Sequence, residues 1–280
     1  MNKVTELFGI YCRDTADFGE SLAKQICPYV GKACYKTRKS DPKTAIGTCT
    51  VRYRQDNIII CPNRLLEQKQ IFMDCLHLLT LHEPGNELYV IPEVAIPGGS
   101  VDYFLVSARE GRVRDFVGIE LQTMDTTGTV WPERQRLLDQ HGFSVDSADI
   151  QNKKTFGMNW KMTAKTILIQ MHHKAETFEY LNKHLVLIIQ RPFLEYIHRE
   201  FSFSHIQGAR MGDCVHIHSY ELKEKNDHLK LLLDTRISTN AEGIAKSLGL
   251  NSKPQVELEE MLTLLARKLY DEYRLAVVIS

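Results

Sequence analysis

The sequence has no run of 18 consecutive apolar residues, so we expect no transmembrane helix and no membrane partner. It contains no P-loop, which argues against an enzyme driven by a nucleoside triphosphate and against a nucleotide cofactor. The first residues lack the apolar segment of an export signal, and the seven cysteines are therefore expected as thiols in a reducing cytoplasm. With 280 residues, the chain is long enough to bury a full hydrophobic core.

An excess of charge of either sign is also missing, since 35 Lys and Arg balance 35 Asp and Glu. The charges are nevertheless unevenly distributed. Residues 24–69 contain ten basic and three acidic side chains, whereas residues 85–150 contain five arginines and eleven acidic side chains. The basic segment could hold a polyanion and the acidic segment a metal ion, although charge alone favours solvated surface for both.

Three apolar runs joined by tight turns occupy the middle of the sequence, at residues 91–96, 101–106 and 116–121. Glycines in the turns, and β-branched and aromatic residues in the runs, predict three antiparallel strands. Each run carries one carboxylate, namely Glu93, Asp102 and Glu120. Because ionised carboxylates among apolar neighbours need a compensating cation, they predict a site for a hard divalent ion such as Mg²⁺.

These strands resemble the metal-dependent nuclease core written PD-(D/E)XK, in which the second strand carries an Asp and the third an acidic-x-basic pair. Here the third strand reads Glu120-Leu121-Gln122, so Gln122 replaces the usual Lys. NotI-like type II restriction endonucleases carry Glu-x-Gln in this position, and the segments DTTGTVWPERQR and NWKMTAK and an N-terminal group of cysteines are also similar to that family. The resemblance covers about residues 5–200. It implies an α/β fold, with a mixed central sheet flanked by helices and an N-terminal cysteine-rich metal-binding module.

The resemblance implies a bacterial, cytoplasmic type II restriction endonuclease that hydrolyses both strands of a specific duplex DNA sequence and leaves 5′-phosphate ends. Asp102 and Glu120 would bind Mg²⁺ together with the Leu121 carbonyl, and Gln122 would orient the attacking water. Glu93 would hold a metal-bound water or a second ion, with Glu87 as a rival for this position. A homodimer follows if the DNA site is palindromic, because a DNA site with twofold symmetry is bound by a protein with twofold symmetry.

The sequence motifs are also compatible with two other functions. One is a nuclease of the same fold that acts in repair, in mobile-element processing or on modified DNA. The other is a non-catalytic DNA-binding protein with a vestigial acidic site. Intact Asp102 and Glu120 argue against the second of these.

Residues 1–63 have little periodicity and five of the seven cysteines, so we expect a loop-rich module before a nuclease domain over residues 64–280. This module has few large apolar side chains, and a metal ion held by thiolates would supply the missing crosslink. The resemblance implies iron, whereas four thiolates alone fit iron or zinc, and free buried cysteines are the simpler alternative. Cys12 could replace any one of the four predicted ligands, which are Cys27, Cys34, Cys49 and Cys61.

Basic and amide side chains near these motifs are candidates for DNA contacts, with solvated surface as the alternative. Arg134, Gln135 and Arg136 begin a predicted helix and would reach phosphates or base edges. Lys161 and Lys165 share one helix face and could supply the positive charge that Gln122 lacks. In the cysteine module, the candidate phosphate contacts are Lys36, Arg38, Lys39 and Arg52.

Apolar periodicity predicts helices at residues 64–82, 158–180 and 193–201 and a buried strand at 184–190. Helix, three strands, helix and strand is the order of the PD-(D/E)XK core. A helical extension over about residues 235–280 is expected to pack on the core, on a second subunit or on DNA. Within it, residues 238–250 resemble the first half of a helix-turn-helix, and residues 255–273 predict an amphipathic helix. Cys214, His216 and His218 are expected on one half-buried strand face rather than in a metal site.

Overall fold

A computed structural model describes residues 3–250 and 258–267 of the chain. The fold is mixed α/β, with a seven-stranded mixed sheet flanked by helices, which agrees with the predicted class at this level. No helix in the part of the chain that the structure describes has the length and apolar character needed to cross a membrane.

The N-terminal segment contains a second, four-stranded antiparallel sheet, where the sequence predicts mainly loops. Its elements are β1 (Val4–Leu7), β2 (Ile10–Tyr11), α1 (Gly19–Lys24), β3 (Thr37–Arg38), β4 (Asp41–Ala45), β5 (Thr48–Tyr53) and β6 (Asp56–Ile59). The sheet has the order β2-β1-β5-β6, and β3 and β4 pair separately. The prediction failed because the strands are short and because β5 is buried at four consecutive positions, so it lacks a two-residue period.

The N-terminal sheet shares its core with the rest of the molecule. Arg64 Nε donates to a Glu6 carboxylate oxygen at 2.8 Å, and both side chains are buried. Val51 and Ile58 belong to the largest apolar cluster, which also contains residues of the central sheet. The boundary predicted at residue 63 therefore falls within a continuously packed region.

Short helical turns replace the continuous helix predicted for residues 64–82. The 3₁₀ segments Pro62–Lys69 and Leu76–Leu78 flank α2 (Gln70–Met73). The prediction is wrong because Gln68 and Lys69 have φ angles of 49° and 57°, in the left-handed region that interrupts a right-handed helix.

The central sheet begins with the predicted meander, which consists of β7 (Glu87–Ile96), β8 (Gly99–Arg109) and β9 (Arg112–Leu121). Each strand is antiparallel to the next, so this prediction is confirmed. The strands are joined by the two predicted turns at residues 97–98 and 110–111. Both residues of the second turn, Glu110 and Gly111, have positive φ angles, which matches the right-handed twist of a hairpin.

Four short elements follow the meander, namely β10 (Thr126–Gly128), α3 (Trp131–Gln140), α4 (Ser147–Gln151) and β11 (Phe156–Met158). β10 and β11 form an antiparallel pair. α3 contains the helix predicted to begin near Arg134, and it contacts β1 of the N-terminal sheet.

The long helix α5 (Trp160–Tyr180) packs on β8 and leads into β12 (His184–Gln190), which is the predicted helix and strand. β12 lies beside β9 and runs parallel to it. The remaining elements are α6 (Arg191–Glu200), β13 (Gln207–Gly208), β14 (Val215–Lys225), β15 (His228–Thr239), α7 (Ala241–Ser247) and α8 (Leu258–Ala266). The sheet order is β13-β15-β14-β12-β9-β8-β7, which leaves β7 at one edge.

The predicted C-terminal extension is described only in part. Residues 238–239 end β15, and α7 follows and packs against α5, as expected for a helix on the core. α8 covers part of the helix predicted at residues 255–273, and residues 251–257 and 268–280 lie outside the described residues.

Gly118 in β9 allows α5 to approach the sheet, because a Cβ atom there would lie 2.3 Å from Phe178 Cζ. We predict that Gly118→Ala destabilises the fold by about 1–3 kcal/mol, since Phe178 would have to move from its contacts with Phe104 and Phe116. Thermal denaturation should show a lower Tm. Gly212→Ala is the matched control, because a Cβ there meets nothing within 4 Å. Equal Tm values for the two variants would contradict this account of the packing.

Candidate active site

The three predicted carboxylates form a row across β7, β8 and β9. Glu93 lies opposite Asp102, because the residues on either side of them pair with each other. Asp102 in turn lies opposite Glu120, because the next pair along is Tyr103 with Ile119. Opposite residues of antiparallel strands have Cβ atoms about 4.5–5.5 Å apart, so the sheet brings Asp102 and Glu120 together on one face.

Asp102 and Glu120 are each held by the backbone of the other strand. The Oδ2 atom of Asp102 accepts a hydrogen bond from the Leu121 backbone nitrogen at 2.8 Å. The Glu120 carboxylate accepts a hydrogen bond from the Asp102 backbone N–H. Both carboxylates are therefore fixed before any ligand binds, which is the preorganisation that a metal or catalytic site requires.

A lysine that the sequence analysis did not select completes this group. Lys174 on α5 donates from Nζ to Glu120 Oε1 at 2.6 Å, and both side chains are buried. Two features of the β7–β8 turn allow this contact. A Cβ atom on Gly98 would lie 2.5 Å from the His173 carbonyl oxygen, and one on Gly99 would lie 3.3 Å from Lys174 Cε. Glycine at both positions therefore lets α5 come close enough for Lys174 to reach Glu120.

The predicted lysines of α5, Lys161 and Lys165, do not reach the carboxylates. Both are exposed, and Lys165 lies about 180° around the helix from Lys174, because nine residues span two and a half turns. A signal for Lys174 was present in the sequence. It lies three residues after Met171 and four before Phe178, within the apolar stripe that α5 buries. A lysine inside such a stripe requires a buried partner of opposite charge.

The electrostatic environment disfavours negative charge on both paired carboxylates. Burial raises the pKa of Glu120 to about 7; the hydrogen bond from Lys174 opposes this rise, and the charge of Asp102 adds to it. Burial also raises the pKa of Asp102, and the charge of Glu93 adds to that rise. Two adjacent carboxylates that resist ionisation gain from a bound cation, which removes the mutual repulsion.

The donor set fits Mg²⁺ better than an ion that needs many protein ligands. Mg²⁺ is commonly held by one or two carboxylates and keeps several waters. Asp102 and Glu120 provide two carboxylates at the end of the β8–β9 pair. Within residues 3–250 and 258–267, no three or more His, Cys, Asp or Glu side chains are arranged to hold a metal ion. A two-carboxylate site is compatible with that finding.

Glu93 and Gln122 lie next to the paired carboxylates of Asp102 and Glu120. Glu93 is exposed on the edge strand and has a φ of 52°, a left-handed conformation that is strained for a residue with a Cβ. Gln122 follows the last residue of β9, and its Nε2 donates to the Thr123 carbonyl at 2.6 Å. The amide oxygen of Gln122 is thus the atom that can accept a hydrogen bond from water.

An open cavity of about 360 Å³ lies beside the carboxylates. Its lining includes Glu93 and Asp102 but not Glu120, which lies deeper and is held by Lys174. The N-terminal segment also contributes to the lining. The lining residues are Tyr35, Pro62, Asn63, Pro92, Glu93, Asp102, Tyr103 and Leu121.

The four cysteines predicted as metal ligands influence one another electrostatically. Burial raises the pKa of Cys61, and the charges of Cys27 and Cys34 add to the rise. Burial raises the pKa of Cys49, with further contributions from Cys61 and Cys27. Burial raises the pKa of Cys12, and the charge of Glu6 adds to that rise.

The thiols of this set do not, however, converge in a coordinating arrangement, since no metal-binding group is found among the described side chains. Three of the four sulfurs have a hydrogen-bond partner of their own. Cys49 Sγ donates to the Gly47 carbonyl at 3.4 Å, and Cys34 Sγ donates to the Lys36 carbonyl at 3.9 Å. Cys27 Sγ accepts from Asn63 Nδ2 at 3.8 Å. The sequence prediction of a metal cluster is therefore not matched by the side-chain geometry.

Arg134 and Gln135, predicted as DNA contacts, are buried side chains of α3. Arg134 Nε donates to the Ile46 carbonyl at 2.7 Å, and its Nη1 donates to Gln135 Oε1 at 2.6 Å. Burial lowers the pKa of Arg134 to about 10. These two side chains stabilise the fold, and the structure leaves them no free surface for DNA.

The other predicted DNA contacts are closer to the surface. Arg136 donates to the Ile150 carbonyl at 3.0 Å. Arg38 pairs with Asp149 at 3.0 Å and stacks on Trp131. Lys36 donates to a backbone carbonyl at 2.6 Å, and Arg52 does so at 3.2 Å. Three predicted contacts are exposed, namely Lys39, Lys161 and Lys165.

His216 and His218 lie on one face of β14, as the sequence predicts, but both faces of the strand are buried there, so the expected half-buried strand is wrong. Cys214 does not join them, because it packs in the apolar cluster that contains Val215 and Ile217. The predicted alternation fails at Cys214, since it precedes the first residue of the strand.

Comparison of the sequence with known family models gives no match, and comparison with curated proteins gives no match either. The function proposed for this chain therefore depends on the geometry of the site and on the sequence motifs.

Because a Mg²⁺ ion at Asp102 and Glu120 would compete with a proton for Glu120, we predict that Mg²⁺ affinity rises with pH through about 7. Below this pKa the carboxyl group is neutral, and Mg²⁺ must displace a proton to bind. Calorimetric titration should give about tenfold weaker binding at pH 6 than at pH 8. Glu110→Gln, which removes an exposed carboxylate of the β8–β9 turn, should keep this dependence. Equal affinity at both pH values would show that Glu120 is not a ligand.

Proposed function

We propose that this chain is a Mg²⁺-dependent endonuclease that cuts duplex DNA at a specific sequence, as NotI-like type II restriction endonucleases do. The observation that carries the proposal is the Glu120 carboxylate, which contacts Asp102 on the neighbouring strand and Lys174 on α5. Two carboxylates and one ammonium group are groups that metal-dependent phosphodiester hydrolysis uses, and one of these carboxylates, Asp102, lines an open cavity.

The topology supports a core of the PD-(D/E)XK type. An antiparallel three-stranded meander is followed by α5, and α5 leads to β12, which is parallel to the third strand of the meander. The acidic pair lies at the end of the β8–β9 pair, on the side of the sheet that α5 covers. The resemblance implies this order from the meander to β12, but the first helix is replaced by short turns and four short elements precede α5.

Asp102 and Glu120 would hold Mg²⁺, with water and a DNA phosphate at its remaining positions. Bound there, Mg²⁺ would stabilise the negative charge that develops on the phosphate during hydrolysis. Asp102 is already oriented by the Leu121 N–H and lines the cavity, so it is the ligand that an incoming substrate meets first. Glu93, exposed on the other side of Asp102, is placed to accept a hydrogen bond from a water in the cavity.

Lys174 takes the role of the basic residue that Gln122 cannot fill. Its ammonium group neutralises Glu120 in the free protein and would be available to a phosphate oxygen once Glu120 binds a cation. Gln122 Nε2 donates to the Thr123 carbonyl, which leaves the amide oxygen of Gln122 to orient a water. A neutral amide cannot supply positive charge. The positive charge in this site therefore comes from the helix rather than from the third strand.

The proposed DNA partner is supported by three of the predicted contacts. Lys39, Lys161 and Lys165 are exposed and could contact phosphates, which attract cationic side chains regardless of DNA sequence. A homodimer is proposed on the same grounds as in the sequence analysis, since a palindromic site would need two copies. A structural iron or zinc ion at Cys27, Cys34, Cys49 and Cys61 is also a proposal, and it would require their side chains to turn toward a common centre.

We predict that Asp102→Asn abolishes cleavage of supercoiled plasmid DNA and leaves DNA binding within about threefold of wild type, because the amide cannot neutralise a divalent cation. Cleavage is measured by gel electrophoresis with and without Mg²⁺, and binding is measured with Ca²⁺. Glu110→Gln is the control with full activity. Cleavage by Asp102→Asn at the wild-type rate would rule out the assigned catalytic centre.

The same assay separates a restriction endonuclease from a nuclease with another role. Discrete bands from a plasmid indicate cutting at specific sequences, and a smear indicates cutting without sequence preference. Sequencing of the ends produced from a random DNA library would then give the target and the cut position.

We predict that Lys174→Met lowers the cleavage rate at least about a hundredfold, because one aimed positive group stabilises developing charge by roughly 3 kcal/mol. Methionine keeps the apolar contacts of the lysine stem within α5. Lys165→Met is the matched control, since Lys165 is exposed on the opposite side of the same helix. Comparable rates for both variants, measured at a temperature at which both are folded, would contradict the role of Lys174.

A further inference from the structure

One edge of the central sheet is a long, exposed strand. β7 forms this edge, and within the described residues it pairs with β8 alone, whereas the strand at the opposite edge, β13, has only two residues. Every residue from 87 to 93 is exposed. An edge strand presents unpaired backbone N–H and C=O groups, so this edge fits a second β-strand better than it fits a helix or a small molecule.

The exposed part of β7 is apolar on both faces of the sheet. Leu88, Tyr89, Val90 and Ile91 are each 39–46% exposed, and successive side chains point to opposite faces. The residues of β8 that pair with them, 104–107, are all buried. Apolar surface that is covered at β8 is therefore left open at β7, and such an edge is a site of association.

A second copy of this chain offers a matching strand, namely β7 itself. A twofold axis perpendicular to the sheet reverses the direction of the strand and keeps each face on its own side. The two β7 strands would then be antiparallel, and each residue could lie opposite only those residues that share its face. Such a surface complements itself, which is what a twofold homodimer requires.

The backbone of β7 limits the segment that can pair in this way. The strand begins at Glu87, and regular pairing ends after Ile91. Pro92 has no N–H to donate, and Glu93 has a φ of 52°, which departs from an extended strand. Full pairing of residues 87–91 with their copies places the middle residue, Tyr89, on the twofold axis. Glu93 lies outside this segment and stays free to face the cavity.

Charge favours the same register. With Tyr89 on the axis, Leu88 of each copy lies opposite Val90 of the other, and the two Tyr89 rings lie opposite each other. Cross-strand pairs of aromatic side chains stabilise a sheet. A shift that puts Val90 on the axis would place Glu87 of one copy opposite Glu93 of the other, and like charges directly opposite are destabilising.

We propose that this chain forms a twofold homodimer in which two β7 strands pair with Tyr89 on the axis and join the two central sheets into one. The geometry of β7 carries this pairing, whereas its consequence for cleavage rests on the proposed nuclease function. Because the axis keeps each face on its own side, the Asp102 and Glu120 carboxylates of both copies lie on the same face of the joined sheet. One DNA duplex could then contact both sites.

The first test is sedimentation equilibrium of the full chain. We expect the wild type to dimerise with a Kd on the order of micromolar, because five paired residues per copy make a small interface. Tyr89→Lys should raise this Kd at least about a hundredfold, since two ammonium groups would meet at the axis. Val113→Lys is the matched control, because Val113 is 63% exposed on β9, away from this edge.

A mixing experiment tests the register and shows that the variants are folded. Tyr89→Asp should also be monomeric, because two carboxylates would meet at the axis. An equimolar mixture of Tyr89→Lys and Tyr89→Asp should dimerise again, since each ammonium group then lies opposite a carboxylate. In the wild type, hydrogen exchange of the amides of residues 87–91 should slow as the protein concentration rises through the Kd.

Plasmid cleavage tests the consequence for DNA. The wild type should convert supercoiled plasmid directly into linear DNA, because two sites cut both strands in one encounter. Tyr89→Lys should accumulate nicked circles, since a monomer carries one site. Linear DNA from Tyr89→Lys at the wild-type rate would overturn the role of this dimer in cleavage.

The remaining outcomes separate this inference from the nuclease proposal. A wild type that stays monomeric far above micromolar concentration would overturn the inference, and slow exchange at residues 87–91 in that monomer would show that another part of the same chain covers the edge. A dimer that persists in Tyr89→Lys, or variants that fail to dimerise when mixed, would also overturn it. A dimer with the expected behaviour that does not cut DNA would support the inference and overturn the nuclease proposal alone.

Discussion

The contact between the Lys174 ammonium group and the Glu120 carboxylate determines how the candidate site is built. Both groups are buried, and removal of either partner would leave an uncompensated charge that costs about 3–5 kcal/mol. The helix α5 must therefore lie where Lys174 can reach the third strand of the meander. Gly98 and Gly118 make this possible, because a side chain at either position would collide with α5. Sheet, helix and acidic pair thus form one arrangement that cannot shift without breaking this contact.

In the proposed nuclease, the same contact would leave the carboxylates ready to bind a cation. Lys174 satisfies only part of the negative charge that Asp102 and Glu120 can carry, and the pKa of Glu120 stays at about 7 despite its lysine partner. A group that titrates near neutral pH releases its proton at low cost when a stronger positive charge arrives. Lys174 would then be free to face a phosphate. In this account, a positive charge that usually comes from a strand residue is supplied by a helix.

The sequence predicted the part of this arrangement that depends on local signals. Glycine turns and β-branched runs located the three strands, and strand pairing then brought Glu93, Asp102 and Glu120 into one row. Lys174 was missed because its role depends on which side of α5 faces the sheet, although its place among the apolar residues of that helix was a usable signal. Strands β1 and β5 of the N-terminal segment were missed because they are short and buried on both faces, so they have no alternating pattern. Arg134 looked like a surface residue because its burial against backbone carbonyls of the N-terminal segment depends on tertiary packing.

The central claim is that the carboxylates of Asp102 and Glu120 share one divalent cation. Its most direct test is a crystal structure of the protein grown with Mn²⁺ in place of Mg²⁺, analysed by anomalous diffraction at the manganese edge. The account predicts a single strong anomalous peak within about 2.0–2.3 Å of an oxygen of each carboxylate, with Lys174 Nζ displaced from Glu120. A map with no peak at this position, and with the Lys174–Glu120 contact still at hydrogen-bond distance, would contradict it.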